Sequence, residues 1–300
     1  TRHENEILAL KKVDEIRDDF ALRGRSELYR VDLKSMASAH RLHQGINLRG
    51  HQVWASYEHF QEILAIRNQP ADEELWDIVE FFASHSDPNL FKERHALSQS
   101  EFRKLVQPLI RTGHIVQDFR GGFRSVFVPE GVDRAELRKE YIRKLVEKFP
   151  VITLRQMTQL AGPSFKPEEL KAVLNTFEED GTLIKGFLIE DFHQVCWGRK
   201  ELLEEARSIP AIRDFVLPPS DPIAPYFADI MKERFGFGSA YLVFRNAEPV
   251  AAFKANTRNK IIDVKDYEGS EKAWRIVKEF AWEHQMPLQT ELRIGGKKLQ

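Results

Sequence analysis

The stretch "LIRTGHIVQDFRGGFRSVFVPEG", Leu109 to Gly131, decides how this chain folds. A basic, helix-like run reaches Gly113, and "HIVQDF" then alternates apolar and polar residues. The chain turns at "RGG" and alternates again through "FRSVFV", which predicts strand, turn, strand. Pro129 and Gly131 close the unit. Upstream, Ser98 stands three residues before Glu101, a capping box, so a helix is expected from about Ser98 to Thr112, stopped by Gly113. An earlier helix is expected around Leu75–Ser84.

Something similar recurs. Gly113 and Gly181 both stop a helix, an offset of 68 residues. At that offset Leu105 meets Val173, Leu109 meets Phe177, Ile115 meets Leu183, Val116 meets Ile184 and Phe119 meets Phe187. One residue out of that register, Ile78, Val79 and Phe82 meet Leu145, Val146 and Phe149. The second copy is expected to hold a helix around Arg138–Phe149, a short helix in "TLRQMTQLAG" capped by Thr153, and a third in "FKPEELKAVLNTFEED" with Pro167 in its first turn. "TLIKGFLIEDFHQVCWG" then supplies strands. Helices followed by a two-stranded hairpin, used twice, is the order of tandem winged helices; the alternative is two unrelated helix–hairpin segments.

Working outward, residues 3–22 read as an amphipathic helix, about Asp32–His43 as a second ending at Gly45, and about Ser56–Arg67 as a third. After "LPPSDPIAP" the pattern changes: "SAYLVF", "PVAAFKA" and "NKIIDVKDY" alternate, with turns at "RNAEP" and "NTRNK". That predicts a small antiparallel sheet. "GSEKAWRIVKEFAWEHQ" is expected to pack on it as a helix through Trp274, Ile276, Val277, Phe280 and Ala281, before a last short strand in "QTELRIG". The expected organisation is α+β: a helical N-terminal segment (1–70), winged helices at 71–131 and 132–210, and a small β-rich C-terminal domain with a packed helix (211–300).

The bulk numbers set limits. The chain has 300 residues, enough for two or three compact units, and its 42% hydrophobic and 30% charged residues argue against disorder. Cys196 is the only cysteine, which excludes an internal disulfide and any multi-cysteine zinc site and points to a reducing, cytoplasmic setting. In a bacterial or archaeal cell, nucleoid association is the expectation should the chain bind DNA. No apolar run approaches the ~18 residues of a membrane span, and "TRHENEILALKK" is too charged for a secretory leader. The chain opens with Thr1, so a segment of something longer is one expectation. No nucleotide-binding motif appears and no cofactor is expected.

Net charge is −1, so any grip on a nucleic acid must come from local concentrations of cations. Arg120 and Arg124 flank the glycines of the first turn, which makes a slim, positive tip suited to phosphates or a groove. Arg103, Lys104 and Arg111 sit on the preceding helix, and His114 adds a titratable donor. Lys166, Lys171 and Lys185 stand in similar places in the second copy, whose third helix is otherwise acidic (Glu168, Glu169, Glu178, Glu179, Asp180). The expected partner is therefore DNA, with the first copy the better candidate. Solvated surface cations, or winged helices that bind protein, are the competing reading.

"FVLPPSDPIAPYFADIMKERFGFGSAYLVF", Phe215 to Phe244, resembles the winged-helix DNA glycosylases that unhook interstrand crosslinks and excise alkylated bases. It is also similar to the C-terminal region of the large helicase-related proteins. The "PPSDP" and "RFGFG" elements carry most of the likeness, with "LKSMASAHRLHQGI" similar to the family's opening helix and "EPVAAFKANTRNKIIDVKD" to its small barrel. The resemblance implies hydrolysis of an N-glycosidic bond in damaged duplex DNA, with a water held by a Gln–apolar–Gln or Gln–apolar–Asp motif. In "HQVWAS" Gln52 fits the first position, but Trp54 stands at the second, where an indole cannot accept from a water. The resemblance thus implies a DNA-binding scaffold with a degenerate catalytic pair. Its alternatives are a glycosylase using Gln52 and a non-enzymatic transcription regulator or interaction scaffold.

His40 and His43, with His51 and His59 beyond, have ligand-like spacing but no completing carboxylates, so surface histidines are expected rather than a metal. Asp221, between prolines, is expected to fix a turn. The five tryptophans are expected in core or interface, with Trp54 or Trp197 as the ones placed to stack on a base.

Overall fold

The computed structural model describes residues 42–118, 120–188, 193–206, 214–221, 223–257, 261–294 and 297–298. The helix expected over 3–22, most of that over 32–43, His40, and Phe119 lie outside the described residues. The fold is α+β, with ten α-helices and several sheets among the described residues. The chain divides into two compact units, Thr1–Trp197 and Gly198–Gln300.

The described part of the first unit begins with a hairpin, β1 (His43–Ile46) and β2 (Gln52–Ala55), where the sequence suggests the end of a helix. Gly45 explains the difference. It does not stop a helix; it lets a side chain approach, because a Cβ there would sit 2.6 Å from Phe60 Cε1. Phe60 belongs to α1 (Tyr57–Arg67), which Ser56 caps by accepting from the His59 N–H.

Next come α2 (Trp76–Ser84), α3 (Pro88–Arg94) and α4 (Gln99–Thr112). Ser98 and Glu101 form the expected capping box, and the Ser98 hydroxyl, then its N–H, lower the Glu101 pKa by donating to the carboxylate. Helix α3 was not foreseen, although Asp87 caps it and Pro88 occupies its first turn. Its Phe91 joins Phe82 and Phe102 in a core with Val79, Val106, Leu109 and Ile115. Each such side chain contributes about 1.5–3 kcal/mol on burial.

The expected hairpin forms as β3 (Ile115–Gln117) and β4 (Phe123–Ser125). It does not stand alone, because β1 pairs with β3 and the sheet order is β2-β1-β3-β4. On the other side of β4, the Phe123 N–H donates to the Ser86 carbonyl at 2.8 Å, so the link between α2 and α3 runs beside that strand.

The second copy has α5 (Arg134–Val146), β5 (Val151–Thr153), α6 (Leu154–Ala161), α7 (Pro167–Glu179), β6 (Ile184–Gly186) and β7 (Cys196–Gly198), with sheet order β5-β7-β6. The two copies agree in one further detail. In each, an extended piece after the first helix lies beside the last strand: Ser86 beside β4 and β5 beside β7.

The second unit holds α8 (Lys200–Ala206), β8 (Phe215–Leu217), α9 (Ala228–Phe235), β9 (Tyr241–Arg245), β10 (Glu248–Asn256), β11 (Ile262–Gly269), α10 (Glu271–Glu283) and β12 (Leu288–Thr290). Its sheet runs β12-β11-β10-β9-β8. The expected all-antiparallel sheet needs one correction: β12 pairs parallel to β11, because α10 carries the chain back before the last strand enters. Helix α10 buries Ala273, Trp274, Ile276, Val277, Phe280 and Ala281, the stripe expected from its spacing. Asp221 fixes a turn, accepting from the Ile223 N–H at 3.0 Å.

Candidate nucleic-acid interface

The tip of the β3–β4 hairpin is built around one carboxylate. Asp118 Oδ1 accepts from the N–H groups of Arg120 and Gly122, both at 2.8 Å. The Asp118 N–H in turn donates to the Gly122 carbonyl at 2.8 Å. Gly121 takes φ +86°, and a Cβ on Gly122 would lie 2.7 Å from Asp118 Oδ2. Both glycines of "RGG" are therefore required by the turn.

This turn turns the Arg120 side chain outward, and Arg120 is exposed. Arg124 is also exposed; its guanidinium carbon lies 3.9 Å from the centre of the Tyr57 ring, a cation–π contact that holds the charge at the surface. Tyr57 is itself anchored, donating through its hydroxyl to the Ser125 carbonyl at 2.8 Å. Among the described residues neither arginine forms an ion pair. On α4, Arg103, Lys104 and Arg111 are exposed as well.

His114 is placed differently from its sequence expectation. It is 6% exposed, and its Nδ1 lies 2.8 Å from Thr112 Oγ1. Burial, then the charge of Arg67, lower its pKa, so it is a neutral interior group rather than a surface donor.

The second copy presents its cations otherwise. Lys171 is exposed on α7. Lys185 is held by Glu178 Oε2 at 3.2 Å and Asn175 Oδ1 at 3.0 Å, with its ammonium 5.4 Å from the Trp197 ring. Among the described residues of this hairpin, large apolar groups reach the surface: Phe187 is 70% exposed, and Ile184 and Val195 are exposed as well, alongside His193 and Gln194.

Gln52 is exposed at the start of β2, while Trp54, two residues on, is buried in the core. Trp197 is buried too, so neither tryptophan is a surface platform for a base. His43 is buried against Tyr57, and among the described residues no three His, Cys, Asp or Glu gather as a metal site.

One feature escaped sequence reading. A recess of about 870 Å³ in the first unit is lined by Arg49, Arg67, Arg111, Arg134 and Arg138, together with Gln107 and other neutral residues. Only Arg111 was named from the sequence. The others are scattered over 89 residues and converge only in three dimensions; an arginine in the last turn of α1 and two in the first half of α5 were the available signs.

No family model matches the chain, and a search of curated proteins finds no match. Among solved structures the chain is similar to the DNA glycosylase AlkZ of Streptomyces sahachiroi, with a TM-score of 0.59 and 12% identity over 89% of this chain and 85% of that one. At that identity the likeness is one of fold. Among the described residues no helix is long and apolar enough to cross a membrane.

Proposed function

We propose that this chain binds duplex DNA, damaged DNA included, through tandem winged helices, and that the first of them makes the main contact. The element order supports the winged-helix reading: in both copies a hairpin follows three helices, and its last strand is flanked by an extended piece from between the first two. The observation that carries the function is the β3–β4 tip, where the Arg120 and Arg124 side chains are exposed and, among the described residues, in no ion pair, the Asp118 carboxylate being taken up by backbone N–H groups of the turn. Phosphates are bound by displacing condensed counterions, which such cations do and ion-paired ones do less well. Arg103, Lys104 and Arg111 extend the same positive surface along α4.

Base excision is not part of this reading. Gln52 keeps the first place of the water-holding pair, but its would-be partner is an indole buried in the core. The glycosylase neighbour supports a DNA-repair setting through fold alone. Incubation with alkylated or crosslinked duplex followed by alkali is expected to give no strand breaks; breaks that vanish in Gln52→Ala would restore the enzyme. A regulator or scaffold role has one observation in its favour, the exposed Phe187 of the second hairpin.

Fluorescence anisotropy with a labelled duplex, titrated at several salt concentrations, tests the main proposal. Replacing Arg120 and Arg124 by Ala is expected to shallow the log–log salt slope by about 2, since each phosphate contact on B-DNA contributes about 0.9. Unchanged affinity at low salt would remove the hairpin from the interface.

A further inference from the structure

The arginine-lined recess has more positive charge than its own structure uses. Arg67 braces backbone: its guanidinium donates to the carbonyls of Ile46 at 3.0 Å, Asn47 at 2.5 Å and Arg111 at 3.1 Å. Arg138 is equally engaged, with two hydrogen bonds to Glu169 at 2.6 and 2.7 Å, one each to the carbonyls of Ile66 and Ser164, and the Phe165 ring 4.2 Å away. These two close the C-terminal end of α1 against the neighbouring segments. They account for two arginines and one carboxylate.

Arg111 and Arg134 have no such explanation. Both are exposed at the mouth, and among the described residues neither is ion-paired. Arg134 donates only to the Asn68 side-chain oxygen. Arg49 adds a further guanidinium to the lining, and no Asp or Glu contributes to it among the described residues. Arg111 and Arg134 thus add positive charge at the mouth without a paired carboxylate, and such charges repel unless a ligand neutralises them. The field reaches beyond the walls, since Arg67 contributes to lowering the pKa of nearby His114.

The volume, about 870 Å³, lies within the range of small-molecule sites and far exceeds a single oxyanion. The lining also has apolar surface at the exposed Pro163 and an amide at Gln107, which suit a sugar and a base better than a bare ion. Arginine forks match phosphate geometry with paired hydrogen bonds.

We propose that this recess is a nucleotide-phosphate site, in which Arg111 and Arg134 contact the phosphate while Arg67 and Arg138 hold the walls. The phosphate belongs either to a nucleotide of a bound DNA strand or to a free nucleotide. The first source rests on the DNA-binding reading above, and the second does not.

The experiment uses the full chain and two probes: ATP by isothermal titration calorimetry, and a labelled duplex by anisotropy. The variants are Arg111→Gln with Arg134→Gln, and separately Gln107→Glu, which places a carboxylate in the lining without touching an arginine. The hairpin variant Arg120→Ala with Arg124→Ala serves as the control. A loss of ATP binding of about tenfold or more in both recess variants, but not in the hairpin variant, assigns the site to a free nucleotide. If ATP does not bind the native chain, yet duplex affinity falls by the same factor in both recess variants, the site takes a phosphate of the strand. Failure of the DNA reading shows separately, as no duplex binding by the native chain. The inference is overturned if neither probe is weakened by either recess variant while circular dichroism confirms the fold.

Discussion

The two hairpins share an order of elements and part of a hydrophobic register, yet they offer a ligand opposite surfaces. Position by position, Leu109 and Phe177 are both buried, as are Ile115 and Leu183. The register then parts: Val116 is buried, whereas Ile184 is 37% exposed. The reason lies outside either hairpin. Strand β3 is a central strand because β1 pairs along its other side, while β6 is the edge of its sheet among the described residues. The charges part in the same way. Arg120 and Arg124 lack carboxylate partners among the described residues, but Lys185 is neutralised by Glu178. One pattern in sequence therefore encodes an unpaired positive tip in the first hairpin and, in the described part of the second, a paired lysine with an exposed Phe187, and what decides is the neighbourhood each hairpin folds into.

The largest expected effect tests that division of labour. Removing Arg120 and Arg124 together is expected to weaken duplex binding by about 10- to 100-fold at low salt, the equivalent of about 1.4–2.8 kcal/mol. Replacing Lys171 and Lys185 by Ala is expected to change it by less than about twofold, because Lys185 is already paired and paired surface cations release few counterions. Anisotropy on both variants, side by side, decides it. Equal losses would mean that the hairpins are equivalent.

The turn chemistry gives the next contrast. Gly122→Ala puts a Cβ 2.7 Å from Asp118 Oδ2 and 3.0 Å from the Ser86 carbonyl. It should destabilise the first unit by about 1–3 kcal/mol, as overpacking does. In the second hairpin a Cβ on Gly186 would meet nothing closer than Leu188 Cδ2 at 3.8 Å, so Gly186→Ala should stay within about 0.5 kcal/mol. Urea denaturation of the two variants measures the difference.

These contrasts also mark how far sequence carries. The capping box at Ser98, the stop at Gly113, the Pro167 start and the apolar stripe of α10 are local signals, and local physics reproduces them. What failed is non-local. Gly45 reads as a helix stop until Phe60 is seen lying over it. His114 reads as a surface donor until the surrounding elements bury it. The recess arginines are far apart in sequence, with helix-end positions as their only local sign, and their common site exists only once α1, α4 and α5 have packed. Gln52 reads as half of a water-holding pair only through the family resemblance; the structure places it exposed at the start of β2, with Trp54 buried two residues on.

His114 supplies a smaller, pH-dependent contrast. Its folded pKa lies below the ordinary value of 6.5, so the unfolded chain binds the proton more readily. Its contribution to stability is therefore complete above about pH 6.5 and is lost as pH falls through the lowered folded value. The corresponding residue of the second copy is Thr182, which is exposed and does not titrate. Thermal melts between about pH 7.5 and 5.5 should show a Tm decline that is shallower in His114→Gln, whereas Thr182→Ala should leave the decline as it is.

The smallest effect is the most direct probe of why the second hairpin differs. Glu178→Gln removes the carboxylate facing Lys185 and leaves Asn175 and the Trp197 ring in place. Both partners of the pair are about a third exposed, so the stability change should stay within about 0.5 kcal/mol. Duplex affinity should rise by no more than about threefold, since one cation is released and Phe187, two residues on and 70% exposed, still presents apolar surface that a phosphate avoids. Anisotropy at low salt measures the gain. A rise matching the loss from removing Arg120 and Arg124 would mean that a single carboxylate masks a second DNA-binding hairpin. A small rise leaves the exposed Phe187 as the feature that sets this hairpin apart, and a protein surface as the ligand it suits.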